Sequence, residues 1–396
     1  MSDDPNGAPL PLSHIKVIDL CRARAGPTAV RQLGDLGAQI IKVEEPGGDD
    51  GDIGSRHSFD FQNLHPNKRS LTLNLKQESA RQVLLRLVET ADVLVENYRP
   101  DVKHRLKIDY ETLSQINPRL IYGSISGFGQ TGPYRHRPGL DQIAQGLSGL
   151  MSVTGLPGQG YVRAGIPIAD LSAGVMLSYG ILAALVERER SGKGQWVHTS
   201  LLQAMVRMMD LQAVRWLIGG EVPPQAGNYH PVGVPTGVYR VKDGAINIQA
   251  AGNRLYARLC KAIGGEELIT DPRFEKPEAR RAHREEMTDE LEKRLAARSM
   301  DEWVAILNEA GVPSGPLLNV KEAFENEQIR HLEMVKPTEH PAIGTVNLLG
   351  FGVNLDRTPP RMRSAAPEQG EHTQEILGEL GYSQSEIDQL ARDGAI

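Results

Sequence analysis

Two short apolar runs flank a helical pattern near the start of the chain. Residues 15–20 and 40–44 are rich in Ile and Val, as buried strands are. Between them, Pro27 opens a helical segment that Gly37 ends. Two strands joined by a helix run parallel, and a parallel sheet needs helices on both of its faces. The chain is therefore predicted to begin with a βαβ unit of an α/β fold.

The same alternation of strands and helices continues to about residue 190. Helical patterns cover residues 77–90, 109–116 and 170–190, whereas residues 93–95 and 120–125 have the pattern of buried strands. Repeated alternation of this kind is typical of a doubly wound parallel sheet.

The pattern changes after Trp216, where glycine and proline mark a linker between residues 219 and 227. Asp243-Gly244 then lies between alternating apolar residues, which predicts a hairpin, and charged helical patterns follow. We expect a smaller α+β domain at residues 228–325. The large domain is expected to comprise residues 1–221 and 326–396.

Charge and composition exclude several classes of protein. The chain has 396 residues, 44 Lys and Arg against 50 Asp and Glu, and a net charge of −6, so the basic stripe of a nucleic-acid binder is not expected. The sequence contains no run of 18 apolar residues, so we expect no membrane span. Cys21 and Cys260 are too far apart in sequence to suggest zinc or a disulfide framework. With its polar, acidic first residues, the protein is expected to be a cytoplasmic enzyme.

The turn at residues 21–27 follows the first strand, where doubly wound folds bind phosphates. It contains Arg22 and Arg24 and leads into a helix, a combination that attracts anions. It lacks the G-x-G-x-x-G pattern of dinucleotide sites. Two interpretations of the turn stay open, an anion site and a solvated basic turn.

Asp170 is the carboxylate that composition singles out, because small and apolar residues surround it. A buried carboxylate needs a partner or a function, so Asp170 is the N-cap of the long helix, a nucleophile held there, or both. Asp141 either caps a second helix or joins the site. The histidines show no metal-binding spacing, and G-x-S-x-G and P-loop motifs are absent. We therefore expect no metal.

Several segments together resemble class III CoA-transferases, the family that includes formyl-CoA transferase and carnitine CoA-transferase. One of them is Gly127-Phe128-Gly129-Gln130-Thr131-Gly132-Pro133. The other matching segments are residues 17–20, 25–27, 36–44, 67–70, 91–98, 191–195 and 311–316. The resemblance extends from about residue 12 to about residue 390, and the segments occur in the family's order.

The resemblance implies an interlocked homodimer with a Rossmann-like large domain that binds CoA. It also implies that Asp170 is the nucleophile of a ping-pong reaction, which passes through an aspartyl anhydride and an aspartyl-CoA thioester. Backbone N–H groups near Asp170 are expected to hold the developing oxyanion. Acyl-CoA and a carboxylic acid are then the substrates, no cofactor is permanently bound, and the basic turn points to a dicarboxylate such as succinate.

The resemblance also implies a set of contacts to CoA. The residues at the matching positions are Ala23, Arg24, Ala25, Leu73, Lys76, Asn97, Tyr98 and Arg105. Two departures stand out. Glu45 occupies a position where many members have Arg, so Arg22, Arg24 or Arg69 is expected to take over. The four-glycine flap of formyl-CoA transferase is missing, and residues 230–235 or 250–253 are expected to cover the site instead.

Two other functions stay open. An α-methylacyl-CoA racemase of the same fold pairs the aspartate with a histidine that precedes the Asp of a Gly-x-Asp segment. Here Leu140 stands before Asp141 and cannot move a proton, which disfavours racemisation and leaves Asp141 as a substrate-orienting group. A non-catalytic acyl-CoA-binding protein would bind CoA thioesters without turnover.

Overall fold

The computed structural model describes residues 9–47 and 55–396, which form two compact units. The first unit comprises the chain up to Leu150, Arg163–Gly220 and His331–Ile396, and the second comprises Met151–Val162 and Glu221–Arg330. Residues 151–162, expected in the large domain, group with the second unit. The reason is that the Gln225 amide donates to the carbonyls of Thr154 and Gly160, both at 2.6 Å.

A parallel sheet forms the centre of the first unit, as the alternating pattern predicted, and it has six strands where the pattern indicated four. Its strands are β1 (Lys16–Asp19), β2 (Gln39–Glu44), β3 (Lys68–Thr72), β4 (Val93–Glu96), β5 (Ile121–Ser126) and β6 (Trp196–Ser200). The strand order is β3-β2-β1-β4-β5-β6, so the chain reverses direction across the sheet between β1 and β4. Ligands of doubly wound folds bind at this switch point, beyond the carboxyl ends of the strands.

Helices cover both faces of this sheet. The helices up to residue 219 are α1 (Ala25–Asp35), α2 (Phe59–Leu64), α3 (Glu78–Thr90), α4 (Pro100–Leu106), α5 (Tyr110–Ile116), α6 (Asp141–Leu147), α7 (Leu150–Val153), α8 (Ile168–Ser191), α9 (Leu201–Met208) and α10 (Asp210–Gly219). Of these, α7 belongs mostly to the second unit. One apolar core includes buried residues of α1 and α8, and a second includes those of α3 and the C-terminal helices.

The second unit contains an antiparallel sheet and short helices. Its elements are β7 (Thr236–Val241), β8 (Gly244–Gln249), α11 (Asn253–Ala262), α12 (Pro277–Ala282), α13 (Arg284–Leu295), α14 (Met300–Glu309), β9 (Ser314–Pro316), α15 (Val320–Glu325) and α16 (Glu327–His331). Strands β7 and β8 form the predicted hairpin. The chain then returns to the first unit as β10 (Val335–His340), β11 (Gly344–Leu349), α17 (Thr373–Glu379) and α18 (Gln384–Arg392).

Helix α8 is the core helix of the first unit. Of the helices within residues 9–47 and 55–396, it alone is long and apolar enough to cross a membrane, and half of its most apolar stretch is buried inside the fold. Ala173, Leu177 and Ile181 lie in the apolar core that also contains residues of β4 and β5. Burial of this kind is what a core helix of a folded domain shows.

Candidate functional site

The turn after β1 is held in a fixed shape at the switch point of the sheet. Ala23 adopts a left-handed backbone conformation with φ 58°, which is uncommon for a residue with a side chain. Asn97, which follows β4, clamps the turn: the Arg22 N–H donates to its Oδ1 at 2.9 Å, and its Nδ2 donates to the Arg22 carbonyl at 2.7 Å. Helix α1 starts at Ala25, so its first amide N–H groups lie at this turn.

Asp170 lies in the first turn of α8, and it is not the N-cap, which is Pro167. Asp141 accepts the backbone amides of this turn instead. Its Oδ1 accepts the N–H of Ala169 at 2.8 Å and that of Asp170 at 3.4 Å. Of the two interpretations that the sequence left open for Asp170, the capping one is therefore wrong.

Asp141 is the first residue of α6 and is held from both sides. The Gln145 Nε2 donates to its Oδ2 at 2.6 Å, and Arg163 lies 3.8 Å from the same oxygen. The Oε1 of Gln145 accepts the Ala164 N–H at 2.9 Å, which anchors the segment before α8. With its side chain 12% exposed, Asp141 acts as a cap that fixes the start of α8.

The surroundings of Asp170 make its carboxylate unusually basic. Burial, followed by the negative charge of Asp141, raises the pKa of Asp170 to about 6, whereas the positive charge of Arg24 acts in the opposite direction. A poorly solvated carboxylate that is still ionised at neutral pH is suited to attack an electrophilic carbon.

Helices α1 and α8 pack closely beside Asp170. A Cβ added to Gly174 would lie 2.7 Å from both the Ala25 carbonyl oxygen and the Thr28 Cβ, so only glycine permits this approach. Gly174 follows Asp170 by four residues and therefore lies on the same side of α8. The packing consequently sets the amino end of α1, with Arg24 as its N-cap, beside the turn that carries Asp170.

Arg24 is paired with a residue that the sequence did not single out. Its guanidinium lies 2.6 Å from Oδ2 of Asp60, in the first turn of α2, and both side chains are about one quarter exposed. Asp60 precedes no recognisable motif, and nothing in its spacing indicates the pairing.

The other residues expected to bind CoA follow the carboxyl ends of β3 and β4. Leu73 and Ala25 are buried, so neither side chain is open to a ligand. Tyr98 is partly buried, and burial raises its pKa to about 12, which keeps its hydroxyl protonated. Lys76 and Arg105 are exposed, on different elements.

The Glu45 carboxylate is paired with two cationic side chains. Its Oε1 lies 2.7 Å from Lys76 Nζ, and its Oε2 lies 3.4 Å from Arg22. The hydrogen bond from Lys76 lowers the pKa of Glu45 despite some desolvation. The two cations neutralise the carboxylate, which removes the expected repulsion of a phosphate.

A buried polar network that the sequence did not indicate supports the glycine-rich segment 127–133. Lys103 Nζ lies 3.0 Å from Glu96 and donates to Gln130 Oε1 at 2.8 Å. At the other end of the segment, a Cβ on Gly127 would lie 2.7 Å from the Cα of Gly139. This close approach fixes the chain two residues before Asp141.

The two segments expected to cover the site are tied together in the second unit. Fully buried Arg280 donates to the carbonyls of Val234 and Ala251, both at 3.1 Å. His230 Nδ1 accepts the N–H groups of Val232 and Gly233 at 3.1 and 2.7 Å. Hydrogen bonds therefore hold both segments, and whether either covers the site stays a prediction.

Two groups of side chains among the described residues have the spacing of metal ligands, namely His57, His340 and Glu368, and His104, Asp109 and Glu111. In the first, His340 Nδ1 already accepts the Ala342 N–H at 3.1 Å, which places its hydrogen on Nε2. In the second, Asp109 caps α5 through the Thr112 N–H. A hydrogen bond within the protein therefore already engages one member of each group.

Comparison with known proteins gives concordant matches. The family model described as CoA-transferase family III matches residues 12–373. An acyl-CoA transferase of Fusarium pseudograminearum is 37% identical over 401 residues, which cover 97% of this chain and 88% of that protein. Succinyl-CoA:glutarate CoA-transferase of Mus musculus is 35% identical over 393 residues, covering 98% and 90%. The crystal structure of a CAIB/BAIF family protein from Brucella suis superposes with a TM-score of 0.83 at 34% identity, covering 94% and 100%.

Proposed function

This chain belongs to CoA-transferase family III and is a CoA-transferase, and we propose that it moves CoA from a dicarboxylic acyl-CoA such as succinyl-CoA to a free carboxylic acid. The observation that carries this proposal is Asp170, a partly buried carboxylate beside the basic turn at the switch point of the sheet. The name of the mouse relative, which specifies succinyl-CoA and glutarate, supports a dicarboxylic substrate.

The first half of the proposed reaction loads CoA onto the enzyme. The ionised Asp170 attacks the thioester carbonyl, the C–S bond breaks, and CoA leaves as a thiolate while an acyl-aspartyl anhydride forms. The thiolate then attacks the aspartyl carbonyl of this anhydride. The donor acid leaves as a carboxylate, and an aspartyl-CoA thioester remains.

The second half transfers CoA to the acceptor. The acceptor carboxylate attacks the aspartyl thioester, which forms a second anhydride and releases the thiolate again. The thiolate attacks the acceptor's acyl carbon, so the new thioester forms and the Asp170 carboxylate is regenerated. Water has to be excluded, because it would hydrolyse either anhydride.

The backbone N–H groups of the Asp170 turn itself are already engaged, so the oxyanion needs other N–H groups near Asp170. Asp141 occupies the N–H groups of Ala169 and Asp170, and the Leu171 N–H donates to the Pro167 carbonyl at 3.0 Å. We assign the role to the first amides of α1, at Ala25 and Gly26. They have no intrahelical acceptor, and they belong to the helix end that packs beside Asp170.

In this proposal CoA lies along the carboxyl ends of β1, β3 and β4. Exposed Lys76 and Arg105 bind its phosphates, with Lys76 bridging Glu45 and a phosphate oxygen. Backbone atoms of Ala23, Ala25 and Leu73 and the side chain of Tyr98 contact the rest of the molecule. Asn97 holds the turn in shape.

The protein is proposed to be a cytoplasmic, interlocked homodimer. An unusual number of large apolar side chains on α8 and α10 are exposed in the single chain, among them Tyr179 at 67% and Leu217 at 74%. Several large apolar side chains exposed on neighbouring turns of a helix are typical of an interaction surface. We expect a dimer by sedimentation equilibrium and, because interlocked chains come apart only on unfolding, a loss of dimer after Tyr179→Asp is unfolded and refolded. The exposed Glu189→Lys, on the same helix, is the control and should stay dimeric. A monomeric wild-type protein would contradict the proposal.

Together with burial, the charge of Asp141 is expected to raise the pH at which activity is lost. Ionised Asp170 is the nucleophile, so kcat/KM for transfer should fall as the pH decreases through about 6. Asp141→Asn keeps an oxygen for the helix amides but removes the negative charge, so the midpoint of this fall should move to lower pH. Asp141→Ala removes the cap as well and should lose about 1 kcal/mol of stability. A midpoint unchanged in Asp141→Asn would contradict the electrostatic role.

Transfer assays distinguish the proposed function from its alternatives. The protein is supplied with succinyl-CoA and a panel of acids that includes glutarate, and new CoA thioesters are measured. Transfer to glutarate is the expected result. Epimerisation of a 2-methylacyl-CoA without transfer would favour a racemase, although exposed Leu140 offers no acid or base beside Asp141. Binding of acyl-CoA without turnover would indicate a non-catalytic protein.

A further inference from the structure

We propose that the Arg24 guanidinium binds the distal carboxylate of a dicarboxylic acyl group attached to Asp170, and that Asp60 occupies this guanidinium until the substrate displaces it. The inference rests on the proposed function and adds the residues that select the acid. The family resemblance placed Arg24 among the contacts to CoA, whereas this inference assigns it to the acyl group.

The packing of α1 against α8 places Arg24 on the correct side of Asp170. Gly174 lies on the Asp170 side of α8 and touches the Ala25 carbonyl, the residue directly after Arg24. The charge of Arg24 is also felt at the Asp170 carboxyl group. A succinyl or glutaryl group on Asp170 has its second carboxylate two or three methylenes from the reacting carbon, which is within reach of a neighbouring arginine.

The Arg24–Asp60 pair can exchange its partner. A single contact, from one terminal nitrogen of Arg24 to one oxygen of Asp60, joins the two side chains at 2.6 Å. A guanidinium has five donors and binds a carboxylate best through two parallel hydrogen bonds. Both side chains are partly exposed, so an incoming carboxylate meets the remaining donors without prior unfolding of either helix.

Asp60 also explains how an arginine can stand next to a nucleophilic carboxylate. A free guanidinium would pair with Asp170 and make it a weaker nucleophile. With Asp60 bound to Arg24, burial and Asp141 dominate, and the pKa of Asp170 is raised rather than lowered. The pair therefore keeps a positive charge available for the substrate and leaves the Asp170 carboxylate unpaired with Arg24.

The test compares two acceptors of equal chain length, glutarate and valerate, with one common donor, butyryl-CoA. Loss of a charge-assisted carboxylate contact in Arg24→Gln should lower kcat/KM for glutarate by about 30-fold, with little change for valerate. Arg24→Lys should restore part of the preference for glutarate. Because the donor is the same, effects on donor binding cancel in the ratio.

Asp60→Asn provides the second arm, since it leaves Arg24 in place without its resident partner. We expect a lower KM for glutarate, and slower transfer to valerate because the freed guanidinium then pairs with Asp170, whereas Arg24→Gln/Asp60→Asn should behave as Arg24→Gln. Thermal unfolding of each variant shows that the fold is retained.

Two results would overturn the inference. In the first, Arg24→Gln lowers kcat/KM equally for both acceptors and no longer discriminates between CoA and dephospho-CoA thioesters as the wild type does. That result would place Arg24 on a CoA phosphate. A ratio of glutarate to valerate unchanged by the substitution would remove Arg24 from acid selection. If the wild-type protein transfers CoA to no acid at all, the proposed function fails first, and the inference fails with it.

Discussion

Replacement of Asp170 by asparagine is expected to reduce CoA transfer by about 10⁴-fold or more, the scale seen when a covalent nucleophile is removed. The amide has nearly the same shape but cannot form the anhydride. The backbone hydrogen bonds from Ala169 and Asp170 to Asp141 do not involve the substituted side chain and should persist. Initial rates of exchange between succinyl-CoA and labelled succinate measure the effect.

Two controls separate loss of the nucleophile from loss of the fold. Glu189→Gln, near the far end of the same helix, should exchange at the wild-type rate. Asp170→Asn should still bind CoA, because its proposed contacts lie at the ends of β1, β3 and β4. Exchange by Asp170→Asn within tenfold of the wild-type rate would refute covalent catalysis at this position.

Lys68→Met is expected to destabilise the protein by about 3–5 kcal/mol, the typical effect of leaving a buried charge without its partner. Lys68 Nζ lies 2.8 Å from Asp19 Oδ2, and both side chains are completely buried. Burial alone would raise the pKa of Asp19, but Lys68 and Lys42 hold it below its usual value. The Cys21 N–H also donates to Asp19, so the loss extends to the turn of the site.

Chemical denaturation at two pH values tests this prediction. The folded-state pKa of Asp19 is lowered, so the pair stabilises the wild-type protein at neutral pH and loses this effect as acid protonates Asp19. The difference between Lys68→Met and wild type should therefore be largest near neutral pH and shrink in acid. Lys293→Met removes an exposed pair with Glu290 and should leave stability nearly unchanged. An effect of Lys68→Met no larger than that of this control would contradict the prediction.

Periodicity was a sound guide where a strand or helix is apolar. The first βαβ unit and the β7–β8 hairpin lie where the sequence predicts them, within one or two residues. Strand β3 was missed because it carries Lys68 and Arg69, which read as a polar loop. The fold satisfies both charges through distant partners, Asp19 for the first and Glu375 and Glu379 for the second.

In the site, too, local patterns were predictable and distant pairings were not. Asp170 stood out because a carboxylate among small and apolar residues is unusual. Asp141 and Arg24 were candidates as well, but their pairings were not predicted, since Asp141 reaches α8 across 28 positions of sequence and Arg24 reaches Asp60 across 36. Such pairings depend on how helices pack, and packing here depends on the missing side chain of Gly174, which no local pattern reveals.

The covalent intermediate can be observed directly. The protein is incubated with succinyl-CoA, treated with hydroxylamine or borohydride, digested and analysed by peptide mass spectrometry. Trapping should modify the peptide that contains Asp170 at that residue, only when the acyl-CoA is present, and not in Asp170→Asn. Continued CoA transfer with that peptide unmodified, or with the modification on another carboxylate, would show that Asp170 is not the nucleophile.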